Sequence, residues 1–266
     1  MIQRCLRILP GRGFVQATGI ALSLGFAGGA AATEQGVDPE ADRILRAMSS
    51  YLGGLAAFSV QADVDDEIID LAGQKLQMSS SASLLVERPD HFHAHRRGPA
   101  ADLEVLFDGQ TLTLHGKRLQ IYARVDAPGT IEQAVTELRA ATGFDAPAGD
   151  LLYADPYPGL MTDVSAGAYL GTAYVDGTEA HHLAFRATKV DWQIWVRTGD
   201  APLPLKYVIT SKWVTGAPQY AVRFRDWDTA PKIPADRFTF VAPEGARQLE
   251  RLSVDDLGTL MIEETP

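Results

Sequence analysis

The chain is poor in cysteine and has fewer basic than acidic residues. Cys5 is the only cysteine among 266 residues, so no disulfide can form within the chain and thiol chemistry is confined to that position. Lys and Arg together number 24 against 34 Asp and Glu, which gives a formal net charge of −10. An acidic surface repels phosphate backbones, and the composition therefore predicts no nucleic-acid partner.

Standard catalytic and cofactor signatures are also missing from the sequence. It contains no Gly-x-Ser-x-Gly, no His-Glu-x-x-His, no phosphate loop and no dinucleotide fingerprint. No stretch approaches the roughly 18 consecutive apolar residues that a membrane-spanning helix needs. We therefore predict a protein without a cofactor that is not an enzyme and does not span a membrane.

Residues 1–32 have the three parts of a secretory signal peptide. Residues 1–13 are basic, residues 14–26 form a short apolar run, and residues 30–32 are the alanines that a signal peptidase requires. Cys5 precedes the apolar run, whereas the cysteine of a lipid anchor would follow it. We predict an exported, periplasmic protein with a cleaved leader and no lipid anchor. Losing the leader's three arginines would take the net charge from −10 to −13.

Short segments of alternating apolar and polar residues fill the chain from about residue 57 to residue 228. Phe58 to Val64 is one such run, and Asp108-Gly109 and Asp176-Gly177 are tight hairpin signals. About 11 strands follow one another without crossover helices, and the last of them is a short strand at Phe238 to Val241. The pattern predicts a mainly β fold, a large curled antiparallel sheet that forms an incomplete β-barrel.

Helices are predicted in front of this alternation and at the one break within it. Asp38-Pro39 supplies an N-cap and a proline at the first helical position, and apolar residues follow it at helical spacing. Residues 129–142 have helical spacing too, and Asp150 to Ala154 predicts a short helix. We interpret the mid-chain helices as a lid over the sheet. The predicted single domain spans residues 33–248, and residues 249–266 form a tail.

Several strings resemble a known family. They are Pro128-Gly129-Thr130-Ile131, Gly149 to Tyr157, Val175-Asp176-Gly177, His181 to Phe185, Val190 to Trp195, and Pro218-Gln219-Tyr220. In this order they resemble the DUF2092 family of predicted periplasmic proteins, which is similar to the superfamily of outer-membrane lipoprotein carriers. The resemblance covers roughly residues 38–248. It implies an incomplete antiparallel barrel with a helical lid over an apolar cavity, and it implies no reaction.

Histidines at alternate positions are the first candidates for chemistry. His91, His93 and His95 share one face of a predicted strand, where they could ligate a metal or form a polar surface beside Arg96 and Arg97. Neighbouring side chains on that face lie roughly 7 Å apart. This separation favours the polar surface, and we predict no bound metal.

A second histidine pair and an aromatic string lie in the second run of strands. His181 shares a face with Leu183 and Phe185, which favours a buried neutral imidazole bonded to a neighbour over a general base. Asp191 and Tyr174 are the conceivable partners of such a base. Trp192 and Ile194 point to one face, where Trp192 could floor an apolar pocket or pack against the lid. The prolines of Asp155 to Pro158 favour a rigid turn over a mobile edge of a cavity.

Three hypotheses follow. In the first, the protein binds an apolar ligand, a lipid or acyl chain, between sheet and lid and acts as a shuttle or sensor. The expected lining is Phe107, Leu114, Ile121, Leu138, Leu183, Phe185, Trp192, Ile194 and Tyr207. In the second, it is an envelope module with a filled core that binds a partner protein. The third, an uncharacterised hydrolase using His181 or His182, has the least support.

Overall fold

The computed structural model describes residues 36–99, 102–142 and 147–250. The predicted leader and nearly all of the predicted tail lie outside these residues. The helices are α1 (Pro39–Gly53), α2 (Ile131–Thr142), a 3₁₀ helix (Gly149–Leu152) and α3 (Pro156–Leu160). The strands are β1 (Ala57–Ile69), β2 (Lys75–Glu87), β3 (His91–Arg97), β4 (Asp102–Asp108), β5 (Thr111–Gly116), β6 (Ile121–Asp126), β7 (Val164–Val175), β8 (Thr178–Ala187), β9 (Val190–Arg197), β10 (Pro204–Ser211), β11 (Gln219–Asp228) and β12 (Arg247–Leu249).

The strands form one open, curled sheet of twelve, in the order β12-β6-β5-β4-β3-β2-β1-β11-β10-β9-β8-β7. The predicted fold class is confirmed. Each run of strands is an antiparallel meander, and the two meanders join where β1 pairs with β11, with Val64 opposite Val222. The helical break at residues 131–160 therefore connects strands at distant positions in the sheet.

The end of the sheet differs from the prediction in one detail. The sequence suggested a last short strand at Phe238 to Val241, whereas the strand lies at Arg247–Leu249 and pairs parallel to β6. Phe238 instead packs its ring against His91, with the ring centroids 5.1 Å apart. The aromatic alternation in this segment thus reflects side-chain packing on the sheet rather than strand pairing.

The predicted hairpin at Asp176-Gly177 joins β7 to β8. Both residues have positive φ, at 48° and 81°. A two-residue hairpin turn with positive φ at both positions matches the right-handed twist of the flanking strands, and glycine adopts that φ without steric cost.

Helix α1 begins as its sequence predicts. Asp38 is the N-cap, and its Oδ1 accepts a hydrogen bond from the backbone N–H of Glu40 at 2.8 Å. Gly54 caps the other end. One face of the helix is buried in the core, through Ala41, Ile44, Leu45, Met48, Ser49 and Leu52. This face packs toward β7, β8 and β9 and places α1 over the concave side of the sheet.

The segment Asp155 to Pro158, expected to be a rigid turn, forms the start of α3. Asp155 Oδ1 accepts a hydrogen bond from the Tyr157 N–H at 3.2 Å, and Pro156 occupies the first turn. The same Asp-Pro sequence therefore begins both α1 and α3. Because α3 has only five residues, its sequence pattern did not distinguish a helix from a turn.

Candidate functional site

Eight of the nine residues expected to line a ligand cavity lie on the concave face of the sheet, and the ninth, Leu138, lies on α2. All nine belong to one buried cluster that also contains the apolar face of α1. Trp192, only 3% exposed, stacks on Phe185 with ring centroids 4.2 Å apart and meets Tyr207 edge-on at 5.6 Å. Beneath α1, Trp192 therefore takes part in aromatic core packing.

Burial decreases along the concave side of β2 and β3. Near the turn that joins these strands, Val86 is 0% and Phe92 is 2% exposed. Leu84 and its cross-strand partner Ala94 are only partly buried, as is Ala82. We call Ala82, Leu84 and Ala94 the trough. It is an apolar part of the concave face that the helices do not fully cover.

A polar cluster lies at the open end of the trough. Arg96, opposite Ala82, donates from Nε to Ser80 Oγ at 2.8 Å and pairs through Nη2 with Asp66. Tyr220 lies opposite Asp66 on β11, and burial raises the pKa of its phenol to about 12. We call Asp66, Ser80 and Arg96 the lip. It combines both charges with an adjacent neutral phenol.

The helices above the concave face are tied to one another by polar contacts. Glu132 on α2 accepts a hydrogen bond from the Ala154 N–H, and Tyr157 donates from its hydroxyl to Asp42 on α1. Burial opposes the charge of Glu132, but hydrogen bonding by Ala154 holds the pKa of this carboxyl below its usual value. The Arg46 guanidinium lies 3.8 Å from the centre of the Tyr157 ring. These contacts join the helices into one cover, which we call the lid.

Two contacts connect the lid to the β2–β3 turn. The Ile131 N–H donates to the Pro89 carbonyl at 3.0 Å, and Arg88 Nη1 donates to the Leu152 carbonyl at 2.6 Å. Burial lowers the pKa of Arg88, since the guanidinium is withdrawn from water. The lid is thus anchored at the end of the concave face where burial is complete.

The three histidines of β3 share the opposite, convex face, as predicted, but each has different surroundings. His91 Nδ1 lies 2.7 Å from Asp90 Oδ1, and His95 Nε2 lies 2.6 Å from Asp102 Oδ1. His93 Nε2 is 3.4 Å from Glu104 Oε1. Within residues 36–99, 102–142 and 147–250, no three His, Cys, Asp or Glu side chains are arranged to hold a metal ion.

A cavity of about 360 Å³ lies on the convex face over β3 to β5. It is lined by His93, Glu104, Leu106, His115, Lys117, Asp236, Arg237, Thr239, Phe240, Val241 and Pro243. His93 was placed on this face from the sequence, whereas Glu104 and the cover formed by residues 236–243 were not predicted. Alternation of Glu104 with Leu103 and Val105 already placed its carboxylate on the histidine face, which is the signal that could have revealed it.

His181 and His182 are bonded to neighbours, and the partners differ from those considered. His181 Nδ1 lies 3.1 Å from the Tyr169 hydroxyl, while Asp191 pairs with Lys212 and Tyr174 is 71% exposed. The imidazole of His181 is half-buried rather than buried. His182 stacks on Trp195, with ring centroids 4.1 Å apart.

Comparison with known proteins identifies the family. A family model described as a predicted periplasmic protein, DUF2092, matches residues 41–251. The chain belongs to this family. The match spans the lid, the sheet and the convex cover, so each site above lies within the DUF2092 region. No curated protein matches the chain in sequence.

Three solved structures are similar to this DUF2092 chain at low identity. An uncharacterized conserved protein from Thermus thermophilus has a TM-score of 0.49 and 9% identity, covering 79% of this chain and 98% of its own. Lipoprotein LppX of Mycobacterium tuberculosis has a TM-score of 0.47 and 12% identity, covering 74% and 100%. A LolA superfamily protein from Nitrosomonas europaea has a TM-score of 0.39 and 13% identity, covering 75% and 97%.

Among the helices of the described residues, none has the length and apolarity to cross a bilayer.

Proposed function

We propose that this DUF2092 protein binds an apolar ligand, a lipid or acyl chain, between its curled sheet and its lid, as an exported shuttle or sensor. The observation that carries the proposal is the trough. Ala82, Leu84 and Ala94 stay partly accessible on the concave face, although the surrounding concave residues are buried. Apolar surface left accessible under a cover favours binding an apolar ligand at roughly 25 cal/mol per Å² removed from water.

The construction of the lid supports entry of such a ligand. The polar contacts of Glu132 and Tyr157 run between parts of the lid, whereas the lid meets the sheet largely through apolar side chains such as Leu45 and Leu138. Apolar contacts are non-directional, so an acyl chain can replace them with little loss. Arg88 and the Ile131 N–H anchor the lid at the β2–β3 turn, so we expect the lid to separate first away from that turn.

The lip supports an amphiphilic ligand. Arg96 and Asp66 stand side by side with side chains 32% exposed each, next to the half-buried trough. A ligand with its chain along the trough would place its polar group beside these two charges. We therefore propose a lipid with a polar headgroup at the lip rather than a plain hydrocarbon.

The test is recovery of lipid with protein purified from the periplasm. Native mass spectrometry and lipid extraction should find a bound lipid in the unmodified protein. Ala94→Trp, which fills the trough, should recover at least several-fold less. Ala184→Trp is the matched control, because Ala184 is a partly buried strand alanine on the convex face. Consistently empty unmodified protein, or equal recovery from both folded variants, would count against the proposal.

We also propose that the leader is removed and that no lipid is attached to the chain. The support is the order of the basic, apolar and small-residue parts of residues 1–32, with Cys5 ahead of the apolar run. The intact mass of periplasmic protein should lack the leader, and Cys5→Ser should not alter export or mass. A mature mass that retains Cys5 with an added acyl group would overturn this proposal.

A further inference from the structure

The cavity on the convex face is roofed by residues 236–243. Phe240 meets His115 edge-on with ring centroids 5.3 Å apart and also contacts Tyr122 at 5.1 Å. Phe238, which is buried, packs on His91. These aromatic contacts hold the roof against the sheet while leaving a space of about 360 Å³ between them. A volume of that size holds a small ligand and its water.

The acidic group in the floor of the cavity is already neutralised. Glu104 Oε2 lies 3.1 Å from His115 Nδ1, and Oε1 lies 3.2 Å from Lys117 Nζ. Burial opposes the charge of Glu104, but the hydrogen bonds from His115 and Lys117 hold its pKa below the usual value. Glu104 therefore contributes little uncompensated negative charge.

One polar atom in the cavity has no hydrogen-bond partner among the described residues. The His93 side chain is 10% exposed, and its Nε2 makes no hydrogen bond with any of them, since the nearest carboxylate oxygen, Glu104 Oε1, lies 3.4 Å away and already accepts from Lys117. The other two histidines of β3 each contact a carboxylate of their own. Burial lowers the pKa of His93, and the nearby positive charge of Arg237 lowers it further. A buried, unpaired ring nitrogen next to a guanidinium is an environment that an anion would stabilise.

We propose that this cavity binds a small oxyanion, a sulfate- or phosphate-like group or a carboxylate, with His93 Nε2–H, Arg237 and Lys117 as its donors. The site lies on the face opposite the trough and is independent of lipid binding. Anion binding draws a proton onto His93, because the bound charge favours the imidazolium. Affinity must therefore rise as the pH falls.

Charged and titratable groups face His93 from the surrounding elements. They are His95 on β3, Glu104 on β4, His115 on β5, Lys117 after β5, and Asp236 and Arg237 in the roof. When His93 is neutral, the charges of Lys117 and Arg237 balance those of Glu104 and Asp236. Protonation of His93 then leaves the cavity positive. A cationic ligand held by Glu104 and Asp236 would show the opposite trend and bind more weakly at low pH.

Calorimetry on the mature protein with sodium sulfate and with sodium formate tests the proposal, since both anions keep a constant charge from pH 7.5 to 5.5. We expect the affinity for at least one anion to rise by about tenfold across this range, through coupled uptake of one proton. A sulfate-only response assigns a sulfate- or phosphate-like ligand, and a formate response assigns a carboxylate.

Variants locate the binding. His93→Gln and the exposed Arg237→Gln should each reduce anion affinity at least several-fold, while His182→Gln should not, because this half-buried histidine of β8 stacks on Trp195 and does not line the cavity. Arg237→Gln still tests the proposal if His93→Gln fails to fold. Dissociation constants above about 10 mM at pH 5.5 for both anions, weaker binding at lower pH, or equal losses in the His182 and His93 variants would overturn the proposal.

Discussion

The two faces of β3 to β5 are built from alternate residues of the same strands, yet they are covered in different ways. The concave residues Phe107, Leu112 and Leu114 belong to the main core, beneath the lid. The convex residues His93, Glu104 and His115 lie under residues 236–243. One face is held by many interchangeable apolar contacts, and the other depends on a few paired charges and rings.

Because of this difference, the two faces should contribute differently to the stability of the fold and to its dependence on pH. Apolar burial contributes free energy at any pH, because nothing in it titrates. We expect the convex contacts to contribute less free energy, but their histidine and carboxylate groups make them respond to pH.

Removal of one side chain from each cover should cost unequal amounts of stability. Leu45→Ala in α1, where Leu45 is 0% exposed, should lower the free energy of unfolding by about 2–5 kcal/mol through lost burial and a cavity. Phe240→Ala on the convex face, where Phe240 is only partly buried, should cost clearly less. Urea titration of both variants measures the difference. Equal losses would show that the convex roof is as much a part of the core as the lid.

Features set by residues close together in the chain could be predicted from the sequence. Alternation assigned Trp192 and Ile194 to the inner face and the β3 histidines to one outer face, because the side-chain period of a strand is two. Local chemistry likewise placed the N-cap at Asp38 and the hairpin at Asp176-Gly177. These features depend on residues close together in the chain.

Features that depend on distant pairing could not be read in the same way. Alternation states which face a residue occupies but not which strand lies beside it, so the joining of β1 to β11 was not predictable. The partner of His181 was missed for the same reason, because Tyr169 lies opposite Leu183 and reaches His181 diagonally, beside a bulge in β7. Glu104 was overlooked because its partners, His115 and Lys117, come from the next strand and turn.

The arginine that anchors the lid should affect local opening more than global stability. Arg88→Met removes a buried charge but leaves the Leu152 carbonyl without its donor, so the two effects oppose each other and the net change should be about 1 kcal/mol or less. Hydrogen exchange of amides in residues 149–160 should accelerate by up to about tenfold, since that factor corresponds to about 1.4 kcal/mol of local opening.

Arg118→Met is the matched control for the lid variant. Like Arg88, Arg118 donates to backbone carbonyls, in this case those of Gly98 and Pro99. These contacts lie in turns at the far end of β3 to β6. Its loss should leave exchange in residues 149–160 unchanged. If both variants accelerate exchange there equally, the lid is not anchored by Arg88.

The convex cover should give the smallest effect and the only one of the three that depends on pH. The pKa of His93 is lowered by burial and by Arg237, so the folded state binds its proton less readily than the unfolded state. Stability should therefore fall as the pH drops below about 6.5, the ordinary value for histidine, and the loss should level off below the folded pKa. Burial also lowers the pKa of His182, which therefore contributes to the same loss, so His93→Gln should reduce this slope without abolishing it. Glu104, with its lowered pKa, acts at lower pH: its stabilisation is lost only as the pH falls below its ordinary value of 4.5. Urea midpoints from pH 7.5 to 5.0 thus separate the histidines from Glu104, and an unchanged slope in His93→Gln would assign the pH dependence to another group.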